Sequence, residues 1–156
     1  MRKKYRHNGR WNRLSLTVTK HYRTQIDKDG YRKFVYSFNF IDIKIKLYVA
    51  YDSGIRSEKE AFNNAIKMLR IVERKAGIQI NSVRPDRYYS YQSTLGCFDN
   101  KTVFYLIPKS NSRINGPSKS RDVFKRLMKD PFSYLKEYYK RENSESGFSV
   151  DKSAFG

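Results

Sequence analysis

Phe34-Val35-Tyr36-Ser37-Phe38-Asn39-Phe40-Ile41-Asp42-Ile43-Lys44-Ile45-Lys46-Leu47-Tyr48-Val49-Ala50-Tyr51 reads as β structure from end to end. Its apolar parity changes midway. Phe34, Tyr36, Phe38 and Phe40 alternate on one face, whereas Ile41, Ile43, Ile45, Leu47 and Val49 alternate on the other parity, leaving Asp42, Lys44 and Lys46 opposite them. Strand side chains have a period of two, so this switch predicts a bulge or break near Phe40-Ile41. Six residues on, Ser57 with Glu60 three positions later forms a capping box. It opens a helix to about Lys75, in which Ala61, Phe62, Ala65, Ile66, Leu69 and Val72 form one apolar stripe and Gly77 is the stop. A β block feeding one amphipathic helix sets the class as α/β.

On the N-terminal side, Leu14–Thr19 alternates apolar and polar residues as a half-buried strand does, and Asp27-Lys28-Asp29-Gly30 is a turn signal. Residues 1–13, rich in Lys and Arg around Trp11, read as a basic arm. On the C-terminal side, Ile78–Val83 and Thr102–Ile107 are short strands, the second ended by Pro108. Residues 109–120 read as loop and Asp122–Met128 as a short helix. Asp130-Pro131 is an N-cap followed by Pro at the first helical position, starting a last helix to about Ser146. This order predicts one domain with a mixed sheet and helices on its faces.

The chain has 156 residues, with 33 Lys+Arg against 15 Asp+Glu, a net charge of +18. Such an excess selects a polyanionic partner, nucleic acid before membrane, because no basic amphipathic helix or lipidation signal accompanies it. No apolar run is long enough to cross a bilayer, and the basic N-terminus lacks the apolar stretch of a secretory signal. A single cysteine, Cys97, excludes an internal disulfide and a cysteine zinc cluster. The expected location is cytoplasmic.

Few residues can carry chemistry. His7 and His21 have no helical His partner, Cys97 has no base beside it and reads as a small hydrophobe, and there is no glycine-rich phosphate loop. The carboxylates remain. On a phosphate-binding surface a carboxylate repels the ligand unless it holds a divalent cation that reverses the local charge. Asp86 directly follows the strand at 78–83, where open α/β sheets place their sites. Glu145 shares a helical stripe with Tyr138 and Arg141. From the residues alone, an exposed ion pair with Arg141 is the favoured reading of Glu145 over a metal ligand.

Tyr138, Arg141, Glu145 and Lys152 reproduce the spacing Tyr-x2-Arg-x3-Glu-x6-Lys. With Asp86 before Tyr88-Tyr89-Ser90, this resembles the insertion-sequence DDE transposases of bacteria and archaea, whose catalytic domain is ribonuclease H-like. The text at Tyr134–Tyr139, Ser144–Lys152 and Ala50–Phe62 is similar to archaeal members, and the resemblance runs from about Trp11 to the end. It implies Mg²⁺- or Mn²⁺-dependent DNA strand cleavage and transfer, with Asp86 and Glu145 as metal ligands and catalytic groups. It implies that Tyr138, Arg141 and Lys152 contact DNA phosphates. The implied partner is double-stranded DNA, both element ends and target, in a prokaryotic nucleoid-associated setting, and oligomerisation is left open.

The family has a third carboxylate, an Asp on its first strand, and the first carboxylate of this chain is Asp27, in a turn. Matching Leu14–Thr19 and Val35–Tyr51 to the second and third strands predicts that the first strand lies upstream of Met1. Residues 14–156 then form a partial ribonuclease H-like domain truncated at both ends, inactive alone. Asp42 is the one strand carboxylate that could replace the missing Asp, but its alternation places it on the exposed polar face. The alternative function is a small basic nucleic-acid-binding protein without catalysis, its cations and aromatic rings interleaved for backbone contact and base stacking. A structural or assembly protein that binds nucleic acid incidentally is a third reading.

Overall fold

The computed structural model of the chain describes residues 13–85, 95–108 and 118–142. Five strands form one mixed sheet: β1 (Arg13–Ile26), β2 (Arg32–Asp42), β3 (Tyr48–Gly54), β4 (Gln79–Arg84) and β5 (Val103–Phe104). Their order across the sheet is β3-β2-β1-β4-β5. β1, β2 and β3 form an antiparallel meander, and β4 and β5 continue parallel to β1. The described helices are α1 (Glu58–Ala76), α2 (Ser118–Lys129) and α3 (Pro131–Tyr139).

The Ser57 cap forms as read, while the reciprocal bond of Glu60 goes to the amide one residue before the cap. Ser57 Oγ accepts from the Glu60 amide at 3.1 Å, and Glu60 Oε2 accepts from the Arg56 amide at 3.1 Å. Gly77 closes α1 in the left-handed conformation, φ 63°, with its N–H bonded to the Glu73 carbonyl. The stripe Ala61, Phe62, Ala65 and Leu69 is buried. Phe62 meets Phe38 edge-on at 5.4 Å and Phe40 at 6.4 Å. Leu14, Leu16, Val18, Val83, Phe98 and Phe104 belong to the same core. At Gly54 the backbones of β3 and α1 touch: a Cβ there would lie 2.8 Å from the Ala61 nitrogen.

Three expectations need correction. First, Leu14–Thr19, matched above to a second strand with the first lying upstream, belongs to β1. This strand runs for 14 residues and is hydrogen-bonded to β2 on one side and β4 on the other, so it is itself the central strand. Second, the pairing of β2 with β3 does shift register at Phe40-Ile41, but Ile41–Val49 is not one strand. The Asp42 carboxylate takes the amides of Lys44 (2.7 Å) and Ile45 (3.1 Å) through Oδ1, and that of Ser15 (3.4 Å) through Oδ2. This turns the chain, buries Asp42 at 2% exposure and leaves Ile45 and Leu47 exposed, the reverse of the alternation reading. Third, α3 ends at Tyr139 and the chain turns at Lys140-Arg141, so the expected helix is interrupted there, and helical conformation resumes at Glu142. The remainder of the expected helix lies outside the described residues.

Candidate functional site

The C-terminal end of β4 is fastened to α3 by a charge-bearing cluster. Arg84, the last residue of β4, is 3% exposed. Its Nη2 bonds to Glu137 Oε2 at 2.7 Å, its Nε to the Glu137 carbonyl at 2.5 Å, and its Nη1 to Ser82 Oγ at 2.8 Å. The guanidinium lies 4.7 Å from the centre of the Tyr105 ring, and Arg126 lies over the same ring at 5.3 Å. Burial pulls the Arg84 guanidinium below its usual range, and the charge and hydrogen bond of Glu137 oppose that. For Glu137, partial burial pushes the carboxyl up, but the hydrogen bond and charge of Lys140 and the charge of Arg84 outweigh it and hold it below the ordinary carboxylate range.

The neighbouring groups are fixed as firmly. The Tyr134 hydroxyl donates to the Leu106 carbonyl at 2.9 Å and accepts from its amide at 3.0 Å, and burial raises its pKa. Lys119 Nζ donates to the carbonyls of Leu95 (2.9 Å), Phe98 (2.7 Å) and Asp99 (3.3 Å), holding the 95–99 turn against α2. Cys97 packs partly buried against the core, as a small hydrophobe does, and its carbonyl accepts from Arg70.

Of the sequence candidates, Tyr138 and Arg141 are described. Tyr138 is 5% exposed, and its hydroxyl accepts from Arg141 Nη1 at 2.6 Å. The Arg141 guanidinium also stands 5.4 Å from the centre of the Tyr138 ring. The two therefore act as one unit, with the tyrosine beneath and the arginine positioned by it. Asp86, Glu145 and Lys152 lie outside the described residues, as does most of the basic arm. Among the described residues no group of three His, Cys, Asp or Glu side chains could hold a metal ion. Asp42 and Glu137 do not fit that role, because backbone amides take the oxygens of one and Arg84 and Lys140 those of the other. Asp42 therefore does not stand in for a missing catalytic Asp.

Sequence reading overlooked Arg84 and Glu137. The available signal was a charge at the inner end of an apolar strand, immediately before Pro85 and Asp86.

No described helix is long and apolar enough to cross a membrane. No protein-family profile matches the chain, and no solved structure matches it. The chain is similar to a protein of Archaeoglobus fulgidus named as a probable transposase for insertion sequence element ISA1214, with 44% identity over 142 residues. That match covers 91% of this chain and 42% of the Archaeoglobus protein, so the chain spans about two fifths of the length of its curated relative.

Proposed function

We propose that this chain is part of the catalytic core of an insertion-sequence transposase of the DDE type and that it acts on DNA. The observation that carries this reading is the 44% identity over nearly the whole chain to a probable insertion-sequence transposase. The ribonuclease H-like assignment draws support from the strand order, in which a three-strand meander leads into two parallel strands with the first strand central. The proposed metal ligands and catalytic groups are Asp86 and Glu145, and the proposed DNA-phosphate contacts are Arg141, oriented by Tyr138, and Lys152. Arg84 lies two residues before Asp86 and is bonded to Glu137, eight residues before Glu145. The segments carrying both carboxylates thus depart from elements already joined. Mg²⁺ or Mn²⁺ held by such carboxylates supplies activation of the attacking oxygen and stabilisation of the leaving one.

If β1 is the fold's own first strand, the place of the third carboxylate falls inside this chain and is held by a hydroxyl. β1 carries no Asp or Glu. Thr17, 1% exposed, donates to the Arg84 carbonyl at 3.4 Å, and the buried Thr19 Oγ1 has no hydrogen-bond partner among the described residues. The chain is then expected to bind double-stranded DNA, at element ends and target, without cutting it. A cleavage assay on element ends with Mg²⁺ or Mn²⁺ tests this. Cuts that vanish in Glu145→Gln would overturn the inactivity while upholding the family reading. Failure to bind DNA at low salt would overturn both this and the alternative of a basic binding protein without catalysis.

A further inference from the structure

The β1–β2 hairpin outreaches the sheet. β4 pairs with β1 only as far as Thr17, and β3 pairs with β2 only from Tyr36 onward. From Arg23↔Val35 to Ile26↔Arg32 the two strands pair with each other alone among the described strands. That is roughly 14 Å of projecting ribbon at about 3.4 Å per residue. Residues opposite each other share a face, so Tyr22, Thr24 and Ile26 stand with Tyr36, Phe34 and Arg32. This face continues the one that buries Val18 and Phe38, but the helical cover stops where Lys20 meets Glu58 at the start of α1. Beyond it Tyr22 is 66% exposed, Ile26 70% and Phe34 45%, with Tyr31 at the tip 71%. The rings form a row: Tyr22 to Phe34 is 6.4 Å, and Phe34 to Tyr36 is 6.3 Å with planes 25° apart.

We propose that this ribbon is a stacking platform for the unpaired bases of a nucleic-acid strand. The inference rests on the nucleic-acid reading above and assigns it a surface and a ligand form. An exposed apolar row of this kind calls for an occupant. Residues 19–36 carry five Lys/Arg against two Asp, and the whole chain is at +18, so a second copy would bring like charge to like charge. A polyanion is complementary to that charge. A duplex offers phosphates but hides its base faces, whereas a single strand offers both. Aromatic rings beside a cation, here Arg32 on the same face as Tyr22 and Phe34, are the chemistry that binds single strands without reading their sequence.

The test uses the full chain and fluorescence anisotropy with an oligothymidine of about 20 nucleotides and a duplex of equal length. Tyr22→Ala and Phe34→Ala should each weaken single-strand binding on the order of tenfold, with duplex binding within about twofold. Tyr51→Ala, which removes a 67% exposed ring on β3, should change neither. Phe34→Trp should retain single-strand binding, and circular dichroism confirms that each variant is folded. Unchanged single-strand affinity, equal losses on both ligands, or a loss of self-association with single-strand binding intact would each overturn the platform. Those outcomes leave the transposase reading standing, whereas a chain that binds neither ligand overturns both.

Discussion

Replacing Glu137 by Gln removes the negative charge facing a buried guanidinium while keeping the side chain's shape. Arg84 is 3% exposed and retains the Glu137 carbonyl, Ser82 Oγ and the Tyr105 ring. Removing one partner of a fully buried ion pair costs about 3–5 kcal/mol. Here the Glu137 side chain is 34% exposed and Gln still offers an acceptor, so solvent and the amide recover part of the loss. The expected destabilisation at neutral pH is about 1.5–3 kcal/mol, or a melting temperature lower by about 3–10 °C for a domain of this size. The effect has a pH signature. The folded Glu137 carboxyl titrates below its unfolded value, so its contribution is fully present above the ordinary carboxylate range. It is lost as pH falls through the lower folded value. Gln has no such contribution, so the gap between wild type and variant should shrink below about pH 4.5. Urea denaturation followed by circular dichroism at several pH values measures this. Equal midpoints at pH 7, or a gap unchanged at the lowest pH where both proteins fold, would refute the electrostatic account. A double variant, Arg84→Met with Glu137→Leu, should be less destabilised than Glu137→Gln, because it leaves no unpaired buried charge.

Gly54→Ala should cost about 1–3 kcal/mol in urea denaturation, since its Cβ meets the backbone of Ala61 rather than a side chain that can swing away. Asp42→Ala should cost about 1–3 kcal/mol by stranding the amides of Lys44 and Ile45, while Asp42→Asn, which keeps an acceptor, should lose less in the same assay. Tyr134→Phe should lower stability by about 1–3 kcal/mol, because both backbone groups of Leu106 lose their partner, and thermal melting reads it directly.

The helix α1 was legible in the sequence down to its cap and stop. Ser57, Glu60, Gly77 and the stripe at Ala61, Phe62, Ala65 and Leu69 act within a few residues of one another, and local rules suffice for such features. The parity switch at Phe40-Ile41 was legible for the same reason. Net charge and the spacing Tyr138, Arg141, Glu145, Lys152 are likewise properties of the sequence itself. The role of Asp42 was not legible. It depends on whether the carboxylate faces solvent or the amides of its own turn and of Ser15, 27 residues away. The place of β1 was not legible either: alternation marks a strand, but only pairing with both β2 and β4 makes it central. Arg84 reads in sequence as one more cation among 33. Only the tertiary structure brings Glu137, 53 residues on, to its guanidinium. The residue types, their periods and their caps were determined by sequence, because those act over one or two turns. Which charges meet, which strand lies at the centre and which aromatic rings stay uncovered were decided by packing between distant segments, where burial and pairing outweigh local preference.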